Sequence, residues 1–338
     1  FRDGELFGVA PILMRRWIWA CRLAWRPVAK SPMRLGHGMG NSLLAPRVLR
    51  CLEALITAVG RAADPGEALR NEGVALGSPL WEALERSSLL RRRYRVRLPA
   101  GTTPRHVAEL SEGLDTYLAG FSGRTRSTLR YKLRRLAKAC EGRLQVDRVS
   151  SPAELGVFLR HAERVSRQTW QARRLGRVVE VSGPLAARLA RAAEKGWLRS
   201  YLKRDGEDPI AFVVGFQSDG TYQYSQPGYD PRWAPFSPGN VLLFRLIEDL
   251  FSHDTPRWLD FGHGDNDYKR LFGTRSHPEA NVLMVRRSIK GTLACTADTV
   301  VSRVNRAGRW GVRRLGALPA LRHSLRSGRR DKKPPGSS

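Results

Sequence analysis

Two Asp-Gly pairs, Asp205-Gly206 and Asp219-Gly220, each separate runs rich in apolar, aromatic and β-branched residues. Asp-Gly supplies the positive φ that a tight hairpin turn demands. The runs 198–203, 210–217 and 221–226 are therefore expected to be three consecutive antiparallel strands. A doubly wound parallel sheet has no place for such a meander, so this part of the chain is predicted to be a mixed α/β domain.

The flanks fit that reading. Before the meander come helices over 109–118, 124–140, 152–170 and 184–195, and a strand over 144–149. In the second helix Leu129, Leu133, Leu136 and Cys140 recur at helical spacing and form one apolar face, while basic residues take the rest. After the meander come a Pro/Gly-rich loop (227–239), a helix to about 251, a strand at 258–261, a helix near 266–272 and a strand at 280–287. The first hundred residues read as strands at 5–14, 33–35, 73–76 and 93–98. Between them lie a helix from Pro46 to about 59 and another opened by Ser78-Pro79. The expected division is 1–100, 101–290 and 291–338. The last part reads as a basic amphipathic helix, with Val300, Val301, Val304, Trp310, Val312 and Leu315 among arginines, running into a disordered end.

Composition narrows the class. The chain has 338 residues, 41% of them hydrophobic and 27% charged, which suits a folded protein of two domains. No run of about 18 uncharged apolar residues is present. The stretch Trp17 to Trp25 is too short and too rich in flanking arginine to span a bilayer. Cys21, Cys51, Cys140 and Cys295 are scattered, with neither zinc spacing nor a disulfide framework. They fit a cytoplasmic protein, or one peripheral at the inner face of the membrane. The net charge of +28 points to acidic partners, although an arginine-rich codon bias produces the same signature. Residues 286–338 hold fourteen Lys or Arg against Asp298 and Asp331, so +12 of that charge lies at the C-terminal end.

Three places can carry chemistry. Ser237-Pro238-Gly239-Asn240 opens a helix, where free N–H groups and the helix dipole suit a pyrophosphate, and Gly239 permits close approach. The bland reading is a plain helix start. The loop Gly262-His263-Gly264-Asp265 gathers one His and the acids Asp260, Asp265 and Asp267 beside Tyr268 and Lys269. No second His lies near, so acid–base or orienting work suits it better than a metal; a loop merely solvated by acids is the alternative. Tyr222, Tyr224 and Tyr229 flank Gln226-Pro-Gly228 and belong to a core or a cleft wall. Arg126, Arg130 and Arg134 on the basic helix suit a phosphate or a solvated face.

Three motifs in order resemble one family. They are Arg124-x-Arg126-Ser-Thr-Leu-Arg130-Tyr-Lys-Leu-Arg134-Arg135-Leu136, then Tyr229-Asp230 with Ser237-Pro238-Gly239, then Leu259-Asp260-Phe261-Gly262-x-Gly264-Asp265-x-x-Tyr268-Lys269. Together they are similar to the CelD-like acyltransferases of the GNAT superfamily, which occur with cellulose and exopolysaccharide genes and are relatives of the Fem-type peptidyltransferases. Asp3-Gly4-Glu5-Leu6 and Leu35-Gly36 resemble that family's first half. The resemblance implies tandem GNAT-like halves, the first truncated at the N-terminus. It implies acetyl-CoA or another acyl-CoA as cofactor, with Ser237, Gly239, Asn240 and Tyr224 toward it. The usual Gln/Arg-x-x-Gly-x-Gly/Ala loop is reduced here to Pro238-Gly239-Asn240. It implies an amine acceptor on a small molecule, sugar or cell-envelope glycan, faced by Arg126, Arg130, Tyr229, Asp265 and Lys269. Asp260 or His263 would take the proton, Tyr268 would serve the leaving thiolate, and no metal takes part. Two other readings stand beside it. One is a Fem-like transferase using aminoacyl-tRNA. The other is a non-catalytic GNAT-like module, docked on an anionic membrane through 291–333.

Overall fold

The computed structural model describes residues 12–23, 26–38, 48–61, 67–99, 101–169, 172 and 178–314. In chain order the elements begin β1 (Ile12–Leu23), β2 (Arg26–Gly38), α1 (Val48–Arg61), β3 (Ala68–Ala75), α2 (Pro79–Arg86), α3 (Ser88–Arg93), β4 (Tyr94–Arg97) and β5 (Thr102–Glu109). They continue α4 (Leu114–Ala119), α5 (Gly123–Ala139), β6 (Leu144–Val149), α6 (Pro152–Gln168), α7 (Pro184–Glu194), β7 (Ser200–Asp205), β8 (Asp208–Ser218) and β9 (Thr221–Tyr229). A 3-10 helix (Pro231–Phe236) precedes α8 (Pro238–Ser252), β10 (Trp258–Asp260), α9 (Asp267–Phe272), β11 (Arg275–Arg286) and α10 (Ile289–Arg314). Contacts divide the chain into a unit of residues 1–102 with 279–338 and a unit of residues 103–278. The sequence suggested breaks at 100 and 290 instead.

The second unit is a mixed sheet in the order β5-β10-β9-β8-β7-β6. The expected meander is β7, β8 and β9, paired antiparallel through both Asp-Gly turns. Successive side chains on a strand face opposite ways, and the core is sorted accordingly. Tyr201 and Val213 join α5 and α8 on one face, through Leu129, Leu136, Leu242 and Leu246. Leu202, Phe212 and Val214 join α6 and α7 on the other, through Phe158, Leu159 and Leu189. Gly215 of β8 is indispensable to this packing. A Cβ there would lie 1.9 Å from the Tyr222 hydroxyl, which donates to the carbonyl of Arg199 at 3.0 Å.

One core position breaks the apolar rule. Lys203 on β7 is fully buried and its ammonium nitrogen has no hydrogen-bond partner among the described residues. Burial, with the Arg245 cation nearby, pushes its pKa well below the ordinary lysine range.

In the first unit β1 and β2 form a long antiparallel pair, β3 runs parallel to β2, and β11 pairs antiparallel with both β3 and β4. Leu52, Leu80 and Leu84 from α1 and α2 cover Tyr94, Val282 and Met284. Helix α10 packs on β1 and its neighbours through Ala294, Cys295, Ala297 and Val301.

Several expectations shift. Residues 102–109 form a strand where the helix of 109–118 was expected to begin, and only α4 is helical there. The period-2 burial of His106, Ala108 and Leu110 is the reason. The Trp17 to Trp25 stretch lies largely in β1, because Trp17, Trp19 and Cys21 alternate onto one face. β2, β3 and β11 begin earlier than expected, and α3 was not foreseen. The C-terminal segment is helical as far as Arg314, as expected, and packs through Ala294, Cys295, Ala297 and Val301. The start of the 5–14 strand, the Asp3-Gly4-Glu5-Leu6 motif, Pro46, Trp170 and everything past Arg314 lie outside the described residues.

Candidate active site

Strands β9 and β10 run parallel and pair from Trp258 opposite Thr221 to Asp260 opposite Gln223. There the pairing stops. β9 continues through Tyr224 to Tyr229, while the chain after Asp260 turns toward β5, the Phe261 N–H donating to the carbonyl of His106 at 3.2 Å. The backbone edge of β9 beyond Gln223 is thus left without a strand partner on that side. Such a gap offers backbone N–H groups to a ligand lying between two strands.

The turn that opens the gap is built from residues the sequence singled out. Gly262 and Gly264 adopt φ of 68° and 96°, the left-handed region that glycine enters without cost. Asp260 accepts the Gly262 N–H at 2.8 Å and is gripped by the fork of Arg105, whose Nε lies 3.0 Å from Oδ1. With these bonds in place Asp260 is an anchor for the turn. Lys269 is buried, and its ammonium donates to the carbonyls of Gly262 and His263 at 3.0 and 2.7 Å. It shapes the loop from beneath. Asp265 accepts from His106 Nε2 at 2.9 Å and from Arg270. Those two partners hold its carboxyl below the usual carboxylate range. His263 stands exposed on the same loop.

Three aromatic rings pack together beside this turn. Tyr224 lies 5.9 Å from both Phe261 and Tyr268, and Phe261 lies 6.2 Å from Tyr268. Neither phenol hydroxyl has a hydrogen-bond partner among the described residues, and neither is a sealed buried atom. Burial pushes the Tyr268 phenol up to about 12 and that of Tyr224 well above its ordinary range. Both are therefore protonated donors at neutral pH.

After β9 the chain folds through Asp230, which is buried and accepts the Arg232 N–H at 2.9 Å together with the Arg232 guanidinium. Ser237 then takes a left-handed conformation (φ 53°, ψ 50°) and α8 begins. The Ser237 side chain caps nothing, Pro238 has no N–H, and the N–H groups of Gly239 and Asn240 have no acceptor among the described residues. They sit at the positive end of a 15-residue helix. The ring of half-exposed Tyr229 lies beside Gly239, 3.7 Å from where a Cβ would be.

The structure thus gathers Tyr224, Asp260, His263, Asp265, Tyr268 and Lys269 around one turn, and Ser237, Gly239, Asn240 and Tyr229 at the start of α8. The guanidinium groups of Arg126 and Arg130 form no hydrogen bond or ion pair with either group among the described residues. Arg135 does reach the α8 approach, donating to the Pro235 carbonyl at 3.4 Å and covering the Phe236 ring at 5.0 Å. Arg105 and His106 were missed in the sequence, and Arg135 stood there only within the basic-helix motif. The first two lay in residues 102–108, to which the sequence reading gave no element, and only the period-2 pattern would have revealed them.

Residues 123–270 match the family model described as an acetyltransferase (GNAT) domain. No curated protein matches the chain in sequence. Among solved structures, one described as FemX is 14% identical, with 84% of this chain and 86% of that chain covered and a TM-score of 0.55. The C-terminal domain of a putative lysylphosphatidylglycerol synthetase from Agrobacterium fabrum is 13% identical, with 80% and 85% covered and a TM-score of 0.54. A conserved protein of unknown function from Bacteroides thetaiotaomicron is 12% identical, with 75% and 79% covered and a TM-score of 0.52. At these identities the likeness is one of fold, and it extends over more of the chain than the second unit alone. The parallel pair that parts at Asp260, the helix that follows β9 and the matched segment agree: this chain carries a GNAT-superfamily fold.

Proposed function

We propose that this chain is an acyl-CoA-dependent N-acyltransferase, an acetyltransferase acting on an amine of a sugar or a cell-envelope or exopolysaccharide substrate. The observation that carries the reading is the gap between β9 and β10, with two phenols that have no hydrogen-bond partner among the described residues packed beside the turn that opens it, and with β9's own route to the uncapped start of α8 adjoining it. The thioester lies along the free edge of β9, and a backbone N–H there polarises its carbonyl. The pyrophosphate sits on the N–H groups of Gly239 and Asn240. The amine attacks the carbonyl, a C–N bond forms, and the C–S bond breaks. With Asp260 committed to Arg105, His263 is the better base for the amine proton, directly or through water. Tyr268 donates a hydrogen bond to the departing sulfur. A thiolate of pKa about 8.5 is a weaker base than the Tyr268 phenolate, so the donor stabilises the thiolate without having to surrender its proton. Asp265 and Tyr229 flank the acceptor side, and the first unit supplies a second GNAT-like half.

Thermal unfolding with acetyl-CoA, and with ATP and polyphosphate as charge controls, tests the cofactor. At 100 times its dissociation constant acetyl-CoA alone should add roughly 2.7 kcal/mol of stability. An equal rise with every polyanion, or none at all, would remove the reading.

A second reading, transfer from an aminoacyl-tRNA, is favoured by α5. Its seven cations from Arg124 to Lys138 form no ion pair among the described residues. It predicts tRNA affinity that falls steeply as salt rises.

A further inference from the structure

Helix α10 has two contrasting faces. The inner one is fully engaged. Ala294 and Cys295 are buried with Trp19 and Cys21, and Asn305 donates to the carbonyl of Arg22 at 2.7 Å. The helix's one acid, Asp298, turns to Arg97, whose guanidinium donates to it at 2.9 Å and to Thr299 and the Cys295 carbonyl at 3.0 and 3.1 Å. The outer face carries Ile289, Leu293, Val300 and Val304, exposed to 84%, 66%, 54% and 51%. Their spacing of four, seven and four residues places them on one side of a helix. At 1.5 Å per residue the row is about 22 Å long. Arg303 flanks the row and Arg306 stands further round the helix on the same side; both are exposed and form no ion pair among the described residues.

We propose that this outer face of α10 docks the protein on an anionic phospholipid surface, the aliphatic row entering the headgroup boundary and the arginines pairing with lipid phosphates. The chemistry selects that occupant. Nucleic acid has no use for a row of four aliphatic side chains. A second copy of this chain would bring Arg303 and Arg306 against like charge, and no acid stands on the outer face to relieve it. An anionic bilayer satisfies both elements. A reversible interfacial helix needs an apolar face and a basic flank together. The chain beyond Val304 adds Arg309, Arg313, Arg314 and six further Lys or Arg against Asp331 alone.

Co-sedimentation of the full chain tests this with vesicles of phosphatidylcholine alone and of phosphatidylcholine mixed equally with phosphatidylglycerol. Inorganic polyphosphate serves as the soluble competitor. Two variants keep the inner face intact: one combines Ile289→Ser, Leu293→Ser, Val300→Ser and Val304→Ser, the other Arg303→Glu and Arg306→Glu. Both should melt as the parent chain does. The expected result is binding to the phosphatidylglycerol vesicles only. The four-serine variant should lose about tenfold or more in affinity, and removal of each arginine about fivefold. Four-serine protein that binds like the parent would overturn the proposal and leave a polybasic tail acting alone. So would parent protein that ignores vesicles but forms a dimer, in sedimentation velocity, that the serines abolish. Neither outcome depends on acetyl-CoA binding.

Discussion

Tyr268→Phe is expected to lower turnover by about 10²- to 10³-fold, the range for removing one preorganised hydrogen-bond donor to developing charge, while leaving the affinity for acetyl-CoA and the melting temperature unchanged. The reason is local. The phenol hydroxyl contributes no hydrogen bond to the fold, whereas its ring packs against Tyr224 and Phe261. Phenylalanine keeps the ring and removes only the donor. The measurement is release of the coenzyme A thiol from acetyl-CoA with an accepting amine, beside calorimetric titration of the cofactor. Unaltered turnover in a folded variant would sink the assignment. A parallel Tyr224→Phe change separates the two phenols, since only the one beside the departing sulfur should affect the rate so strongly.

Arg199→Lys should cost the fold several kcal/mol, because it keeps the charge but leaves buried acceptors without a donor, at about 1–3 kcal/mol for each one left unsatisfied. The Arg199 side chain is 8% exposed. It donates to the Tyr201 hydroxyl at 2.9 Å, Gln217 Oε1 at 2.7 Å, the Asp249 carboxylate at 2.9 Å and the carbonyls of Asp249, His253 and Asp254 at 3.0, 2.7 and 3.1 Å. Four of these acceptors belong to the last turn of α8 or the residues just after it, where helix-end carbonyls such as those of His253 and Asp254 need partners from outside the helix. The planar fork meets them from a single position, and an ammonium cannot. The measurement is thermal or urea unfolding, with a fall in melting temperature on the order of 10 °C. A change under about 1 kcal/mol would show that the network is surplus to the fold.

The pH dependence of this network follows from Asp249. Burial opposes its ionisation, but the hydrogen bonds from Tyr201 and Arg199 outweigh burial and hold its pKa below the ordinary value. Its stabilisation is therefore complete above the unfolded carboxylate pKa and is lost as pH falls through the lower folded one. In Arg199→Lys that acid-side loss should shrink.

The meander was legible because Asp-Gly turns and alternating apolar runs are local signals, and local signals survive in a single sequence. The basic helix was legible for the same reason: Leu129 and Leu136 keep a helical period whatever surrounds them. β5 was not legible. Its buried positions include His106, a polar residue whose partner Asp265 is 159 residues away, and no periodicity announces a pairing at that distance. Asp260 and Lys269 were noticed as chemistry, yet the structure shows what each is bonded to: the fork of Arg105 and two loop carbonyls. A sequence displays the functional group and hides its partner, so an anchor and a catalyst look alike. The gap between β9 and β10 is a tertiary feature. Its extent depends on where the β9–β10 register stops, which only the fold records.

The unpaired Lys203 amine at the centre of β7 has a calorimetric consequence. Its pKa is low in the folded chain and returns to the ordinary lysine value when the chain opens. Between those two values unfolding takes up a proton, and stability climbs with alkalinity across the window. The heat absorbed on melting there should vary with the ionisation enthalpy of the buffer, by about one proton's worth per molecule, and Lys203→Met should erase that share of the variation. Below the folded value the amine must be charged inside an apolar core, so this one strand position sets an acid-side penalty distinct from the carboxylate one.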